Sequence, residues 1–205
     1  DRVRHELECV LKEELPEKVL RRAGELGVLG KLNSSLRCDD WLAETFVQAR
    51  ERSLPDGLPP PELYLALLCY RLMESEVEQM ITYLRLSRTA AQALRETIAL
   101  KDKIEDLSFH GLPPSRIFEL VHGYGLTALT ANSLAAGSAT AVDHIELYLN
   151  VLRHVHPALS GDDLKKLGVP AGPRIKELLQ LLRGARLDGK VTSKKEEEEM
   201  MRGLI

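Results

Sequence analysis

The placement of proline restricts what this chain can fold into more than any other feature. Pro16, the run Pro59-Pro60-Pro61, the pair Pro113-Pro114 and Pro173 each stand at the head of a segment whose apolar residues recur every three to four positions. Proline fits the first turn of a helix and breaks one further in, so each marks a helix start. No stretch alternates apolar and polar residues between turn signals, so no sheet is expected. The fold class is all-α: an array of about ten to twelve short helices, with a body and a small helical tail carrying a helix-hairpin-like turn.

Taken in order, Val3, Leu7, Val10 and Leu11 share one helical face, and Val19, Leu20, Ala23 and Leu26 share the next, which stops at Gly27. Val28 to Leu32 read as an apolar connector. Asp39 or Asp40 caps a helix carrying Trp41, which suits the core better than a base-stacking surface. The segment Leu54 to Pro61 is a break, followed by a buried helix from Glu62 to Leu72. Ser75 with Glu78 forms a capping box. Ser87 starts a helix with Ala91, Leu94, Ile98 and Leu107 on its inner face. The helix opened by Pro113-Pro114 ends at Gly123 or Gly125, a small helix spans Leu126 to Ala136, and Thr140 caps the next. The run from Lys194 to Glu199 reads as an exposed final helix with opposite charges four apart, Lys194 with Glu198 and Lys195 with Glu199.

The 205 residues are 44% hydrophobic and 29% charged, a globular composition long enough for one large domain or two small ones. No 18-residue apolar run offers a membrane span, and the charged start DRVRHELE has no signal-peptide core. That start, inside a helical pattern and without Met, reads as a cut from a longer chain. Cys9, Cys38 and Cys69 lack any CxxC spacing, which fits reduced thiols in a cytoplasmic protein. The net charge of −3 is unevenly spread. Residues 1–156 hold 18 Lys and Arg against 23 Asp and Glu, whereas residues 157–195 hold nine (Lys165, Lys166, Arg174, Lys176, Arg183, Arg186, Lys190, Lys194 and Lys195) against four. A basic module on an acidic body suits a polyanionic partner.

That module contains the most informative stretch, SGDDLKKLGVPAGPRIKELLQLLRGARLDGK, from Ser160 to Lys190. Ser160 is an N-cap, Asp162 and Asp163 suit a positive first turn, and Gly168 is a helix stop. Pro173 opens a second helix with a stripe of Leu178, Leu179, Leu181 and Leu182. A glycine-containing turn into a helix start leaves backbone N–H groups free to meet an anion, with Arg174 and Lys176 beside them. The same spacing also suits an ordinary helical hairpin with solvated lysines.

Catalytic signatures are scarce. There is no Walker loop, no GxGxxG after a strand, no HExxH and no GxSxG. Asp39-Asp40 and Asp162-Asp163 are adjacent pairs and so face different ways on a helix, which favours capping over metal binding. His154 and His156 form an HxH with His144 ten residues earlier, a poor metal signature; His5 and His110 have no evident partner.

Two segments carry a family resemblance. The N-terminal DRVRHELECVLKEELPEKVLRRAGELGVLGKL resembles the segment closing the neck of bacterial class II tRNA nucleotidyltransferases and poly(A) polymerases, through Arg2, Arg4, Glu6, Leu7, Leu11, Pro16, Leu20, Leu26, Gly27 and Leu29. The stretch from Ser160 to Val191 resembles that family's tail, through Gly161, Asp163, Leu164, Leu167, Gly168, Gly172, Pro173, Ile175, Leu178, Leu179, Leu182, Leu187, Asp188, Gly189 and Val191. Lys176 departs from the pattern, which often has Gly there.

The resemblance implies the end of a neck at residues 1–32, a helical body at 33–156 and a tRNA-contacting tail at 157–205. The family's Gly-Ser loop, paired metal-binding aspartates and nucleotide-reading Glu-Asp-x-x-Arg have no counterpart here. They would lie upstream, in a missing N-terminal catalytic domain using Mg2+ with CTP or ATP, and this piece would be no enzyme. Its expected role is to hold tRNA, with Lys165, Lys166, Gly168, Ala171, Gly172, Arg174 and Lys176 on the backbone and Arg85, Arg88, Arg95, Lys101 and Lys103 in support. Arg2 and Arg4 would sit near the nucleotide-binding region. The rival readings are a helical protein-interaction module without RNA affinity, and a helical enzyme using His144, His154 and His156 with a metal.

Overall fold

Each proline opens the helix it was expected to open in the computed structural model, which describes residues 2–53 and 57–204. The helices are α1 (Arg2–Leu11), α2 (Pro16–Glu25), α3 (Val28–Leu32), α4 (Asp40–Ser53), α5 (Pro61–Cys69), α6 (Glu74–Leu84), α7 (Arg88–Lys101), α8 (Ile104–Leu107), α9 (Pro114–Val121), α10 (Leu126–Ala135), α11 (Ala139–Asn150), α12 (Gly161–Lys166), α13 (Pro173–Leu187) and α14 (Lys194–Arg202), with a 3₁₀ turn at Leu152–His154. No strand occurs among the described residues, and eleven of the helices have eight residues or more. Leu54, Pro55 and Asp56 of the expected break lie outside the described residues.

The chain divides into two compact units. The first comprises Asp1–Ser108 and Gly123–Asp143. At its centre is α5, whose residues Leu63 to Cys69 are all buried, with the Tyr64 ring 4.5 Å from that of Phe46 on α4. Each such leucine contributes about 1.5–3 kcal/mol by leaving water, so α5 dominates this core. Helices α7 and α10 pack on it. Asn132 of α10 is fully buried, donates to the carbonyls of Thr97 (3.0 Å) and Ala128 (2.9 Å), and accepts from the Tyr70 hydroxyl at 3.0 Å. Glu17 of α2 and Arg50 of α4 form a two-point ion pair at 2.9 and 3.1 Å.

The second unit comprises Phe109–His122 and His144–Ile205. Its core joins Leu159, Leu164, Val169, Leu178, Leu182 and Met201. Helix α9 packs along α13. The Ser115 amide and hydroxyl both donate to Asp188 at 2.9 Å, so the residue ending α13 caps α9.

Several local expectations are corrected. Val28 to Leu32 form a helix, because the left-handed Gly27 (φ 72°) turns the chain and Leu29 is buried. Ser75 lies inside α6; Glu76 accepts the Met73 N–H at 2.9 Å instead, and Glu78 pairs with Arg95. Ser138, not Thr140, caps α11 by accepting from the Ala141 amide. Leu107 sits on the separate α8, and α9 ends at Val121. Lys194 reaches Asp163 at 3.5 Å rather than Glu198. Helix α14 is not simply exposed, since Glu197 is fully buried. Trp41 is only half-buried, with the Arg71 guanidinium 4.4 Å from its ring centroid.

Candidate nucleic-acid interface

The hairpin from Ser160 to Lys190 is built as its local chemistry dictates. Ser160 accepts from the Asp163 amide at 3.2 Å, and Asp163 accepts from the Ser160 amide at 2.9 Å, a reciprocal cap on α12. This bonding, reinforced by Lys194, holds the Asp163 carboxyl at about 2, below its ordinary 3.8. At the other end Gly168 adopts φ 100°, its amide bonds the Lys165 carbonyl, and the Val169 amide bonds the Leu164 carbonyl. This is a Schellman stop, with the buried pair Leu164 and Val169 as its apolar contact.

The connector from Gly168 to Gly172 is exposed apart from Val169. Gly172 takes φ 149°, a conformation that essentially only glycine adopts, and delivers Pro173 into the first turn of α13. The Ile175 amide already bonds the Gly172 carbonyl. The amides of Ala171, Gly172 and Arg174 donate to no protein acceptor among the described residues. The Arg174 amide lies in the first turn of a 15-residue helix, where a phosphate oxygen can be received, and the Ala171 and Gly172 amides precede it in the chain.

The basic residues differ in what else they hold. Lys166 and Lys176 are exposed and make no ion pair among the described residues. Lys165 pairs with Asp162 at 2.8 Å and Arg174 with Glu177 at 3.3 Å, both exposed pairs that an incoming phosphate can displace at little cost. In the first unit, Arg85 and Arg88 are exposed and form no ion pair among the described residues. Arg85 is the one left-handed non-glycine residue among those described (φ 49°), and its carbonyl accepts from Arg4 at 2.8 Å. Arg95 is instead clamped by Glu78 through bonds of 2.6 and 2.8 Å. Lys101 is half-buried, donates to the Tyr70 carbonyl at 2.7 Å, and has its pKa lowered by burial. Lys103 lies 4.9 Å from the Tyr124 ring centroid. Arg85 and Arg88 are thus presented outward, whereas Arg95 and Lys101 hold helices together. Arg4 spends its guanidinium on Arg85 and on Glu8 at 3.6 Å.

The histidines form no metal cluster: among the described residues no three His, Cys, Asp or Glu side chains gather to hold an ion. His156 receives Arg183 at 3.2 Å and His154 receives Arg153 at 3.1 Å. Among the described residues no helix is long and apolar enough to cross a membrane. Two structural roles escaped the sequence reading, that of buried Glu197 and that of Asp188 as the cap of α9. The Leu187-Asp188-Gly189 motif was the available signal for the second. Gly189 at φ 71° ends α13 and turns the chain beside the capping carboxylate.

The all-α architecture of these helices is shared with solved CCA-adding enzymes. The chain matches the Thermotoga maritima CCA-adding enzyme, solved in complex with tRNA, with a TM-score of 0.74 at 19% identity, over all of this chain and 51% of that one. It matches a CCA-adding enzyme solved with ATP with a TM-score of 0.72 at 20% identity, again over all of this chain and 51% of the other. In sequence, 54 residues are 41% identical to the A-adding tRNA nucleotidyltransferase of Geobacter sulfurreducens, covering 26% of this chain and 6% of that protein. No family model matches. The chain spans about half the length of the solved structures it resembles. The sequence likeness is to a tRNA nucleotidyltransferase, the family that the two terminal segments resemble, and the fold likeness is to CCA-adding enzymes.

Proposed function

We propose that this chain is the tRNA-holding, helical C-terminal part of a tRNA nucleotidyltransferase that adds CCA, or A alone, to tRNA 3′ ends. The observation that carries this reading is the exposed turn at Gly168–Gly172. The unspent amides of Ala171 and Gly172 there, and of Arg174 just after it, stand near Lys166 and Lys176 in the chain, on a fold that matches, along its whole length, an enzyme solved with tRNA. The turn grips backbone phosphates at the tRNA elbow, and Arg85 and Arg88 of the body meet the backbone nearer the acceptor stem. Such contacts fix register without reading bases. The neck, body and tail labels for residues 1–32, 33–156 and 157–205 belong to this reading. So does the assignment of catalysis to a preceding domain that supplies Mg2+ and CTP or ATP chemistry, which leaves this part without activity of its own.

The test is a filter-binding titration of tRNA across salt, with K165A, K166A, R174A and K176A combined in one variant. The combined variant should bind more weakly and with a flatter salt dependence, since each lost phosphate contact removes about 0.7–0.9 from the log–log slope. Unchanged affinity and slope would leave the protein-interaction reading in front.

A further inference from the structure

A second binding feature lies in the same unit as the hairpin. A groove of about 320 Å³ runs between α9 and α13, lined by Ser115, Phe118, His122, Gln180, Arg183 and Leu187 among others. Three flat groups meet in its wall. The His122 imidazole stacks on the Phe118 ring with centroids 4.4 Å apart and planes 18° from parallel, and the Arg183 guanidinium carbon lies 5.2 Å from the Phe118 centroid. Phe118 is buried beneath, whereas His122 is exposed. The tilt of the imidazole is fixed by a contact of 3.2 Å between His122 Nδ1 and the Tyr148 hydroxyl. Partial desolvation and the nearby Arg183 charge lower the pKa of His122.

Arg183 is held but not satisfied. One Nη is engaged by His156 Nδ1 at 3.2 Å, while its Nε–H is buried and donates to no protein acceptor among the described residues. An unspent buried donor costs about 1–3 kcal/mol. Gln180, exposed on the rim, offers a paired amide donor and acceptor. The groove volume sits at the small end of the roughly 300–1,000 Å³ spanned by ligand sites, room for one heterocycle rather than a large molecule.

We propose that this groove receives one unstacked nucleobase of an RNA strand, which stacks on the exposed face of His122 and presents its polar edge to Gln180 and Arg183. The inference rests on the RNA-holding reading, and geometry connects the two. Lys176 beside the turn and Arg183 in the groove are seven residues, about two turns, apart on one side of α13, roughly 10 Å at 1.5 Å per residue. A strand held by its phosphates at the turn reaches the groove within a few nucleotides. Stacking on a fixed aromatic is sequence-tolerant, because every base has a π-face, and is worth about 1–3 kcal/mol per base. The turn therefore supplies the salt-sensitive part of binding and the groove a salt-insensitive part.

Two measurements on the intact chain test this. In the first, the imidazole resonances of His122 are followed by NMR during titration with AMP and, separately, with ribose 5-phosphate. AMP should shift them and ribose 5-phosphate should not; equal shifts would make the groove an anion site, and no shift with AMP would remove it altogether. In the second, H122A and Q180A are assayed against a single-stranded oligonucleotide and against a duplex of the same sequence. Each should lose about fivefold to tenfold on the single strand and stay within twofold on the duplex. Equal losses on both would overturn the groove assignment. Failure of the RNA-holding reading would appear differently, as weak duplex binding by the unaltered chain that removing the four hairpin charges leaves unchanged, and the AMP titration would then decide the groove by itself.

Discussion

The carboxylate of Glu197 is bound by the guanidinium of Arg186 in a site where Glu197 has no solvent exposure at all. The same carboxylate accepts the amides of Ala158, at 2.9 and 3.1 Å, and Leu159, at 2.8 Å. One side chain on α14 thus fastens three segments: the chain entering the hairpin, the end of α13, and α14 itself. A buried carboxylate is tolerated because every lone pair has a charged or amide donor.

Removing Glu197 strands Arg186 and two amides. E197A should cost about 3–5 kcal/mol in urea unfolding followed by a probe in the second unit. E198A, on the half-exposed neighbour, should leave the same curve unchanged. Similar losses for the two variants would show that the buried carboxylate is dispensable.

Acid should weaken the fold below about pH 4. Asp39 is held at about 2, against an ordinary 3.8, first by its two bonds to Arg71 at 2.8 Å and then by the Leu42 amide. Asp163 sits at about 2 through Ser160. A depressed carboxylate pKa stabilises the folded state above the unfolded value, and that stability is lost as pH falls from about 4 through about 2. D39N should flatten the decline in denaturation midpoint between pH 4 and pH 2. A slope equal to that of the unaltered chain would contradict this.

The two hairpin glycines are demanded by backbone conformation and not by crowding. An added Cβ at Gly168 (φ 100°) or Gly172 (φ 149°) would meet nothing within 4 Å. G168A and G172A should each cost about 1–3 kcal/mol through strain alone. G172A should also weaken tRNA binding by displacing the unspent amides. Measured stabilities equal to that of the unaltered chain would show that these positions relax freely.

Among the basic residues, binding and stability effects should separate. K166A and K176A should each lower the salt slope of tRNA binding by about 0.7–0.9 and leave the melting temperature unchanged. K101A should lower the melting temperature, because it frees the Tyr70 carbonyl, and should leave the slope alone. R95A should behave like K101A, since its guanidinium is already committed to Glu78.

Asn132 should be intolerant of truncation. N132A leaves the Tyr70 hydroxyl and the Thr97 carbonyl without their partner in a dry core, at a cost of about 1–3 kcal/mol per stranded group. Its measure is the urea midpoint of the first unit.

What was legible in the sequence follows from the range of the interactions. Helix starts at Pro16, Pro61, Pro114 and Pro173 depend on φ and a missing N–H, both properties of the residue itself. The Ser160 cap and the Gly168 stop involve atoms three to five residues apart, so they too were readable. Caps failed at Ser75 and Thr140 because a neighbour one or two positions away competed for the same turn, and helix ends shift by that much on small energies. The caps and turns of the hairpin were therefore foreseen, although Leu181 of the expected apolar stripe is exposed. The groove at His122 and Arg183 was not, since it joins α9 to α13 across about 60 residues.

By itself, the sequence determined that the chain is helical, where most helices begin, and that a basic glycine-stopped hairpin lies near its end. The tertiary structure alone decided which charges remain available. Lys166 and Lys176 stand in solvent while Lys101 is spent on a carbonyl, and Glu197, one of four successive glutamates, is the buried one. Residues of identical type differ in this way because desolvation and partner geometry depend on atoms far away in the chain, which no local pattern records.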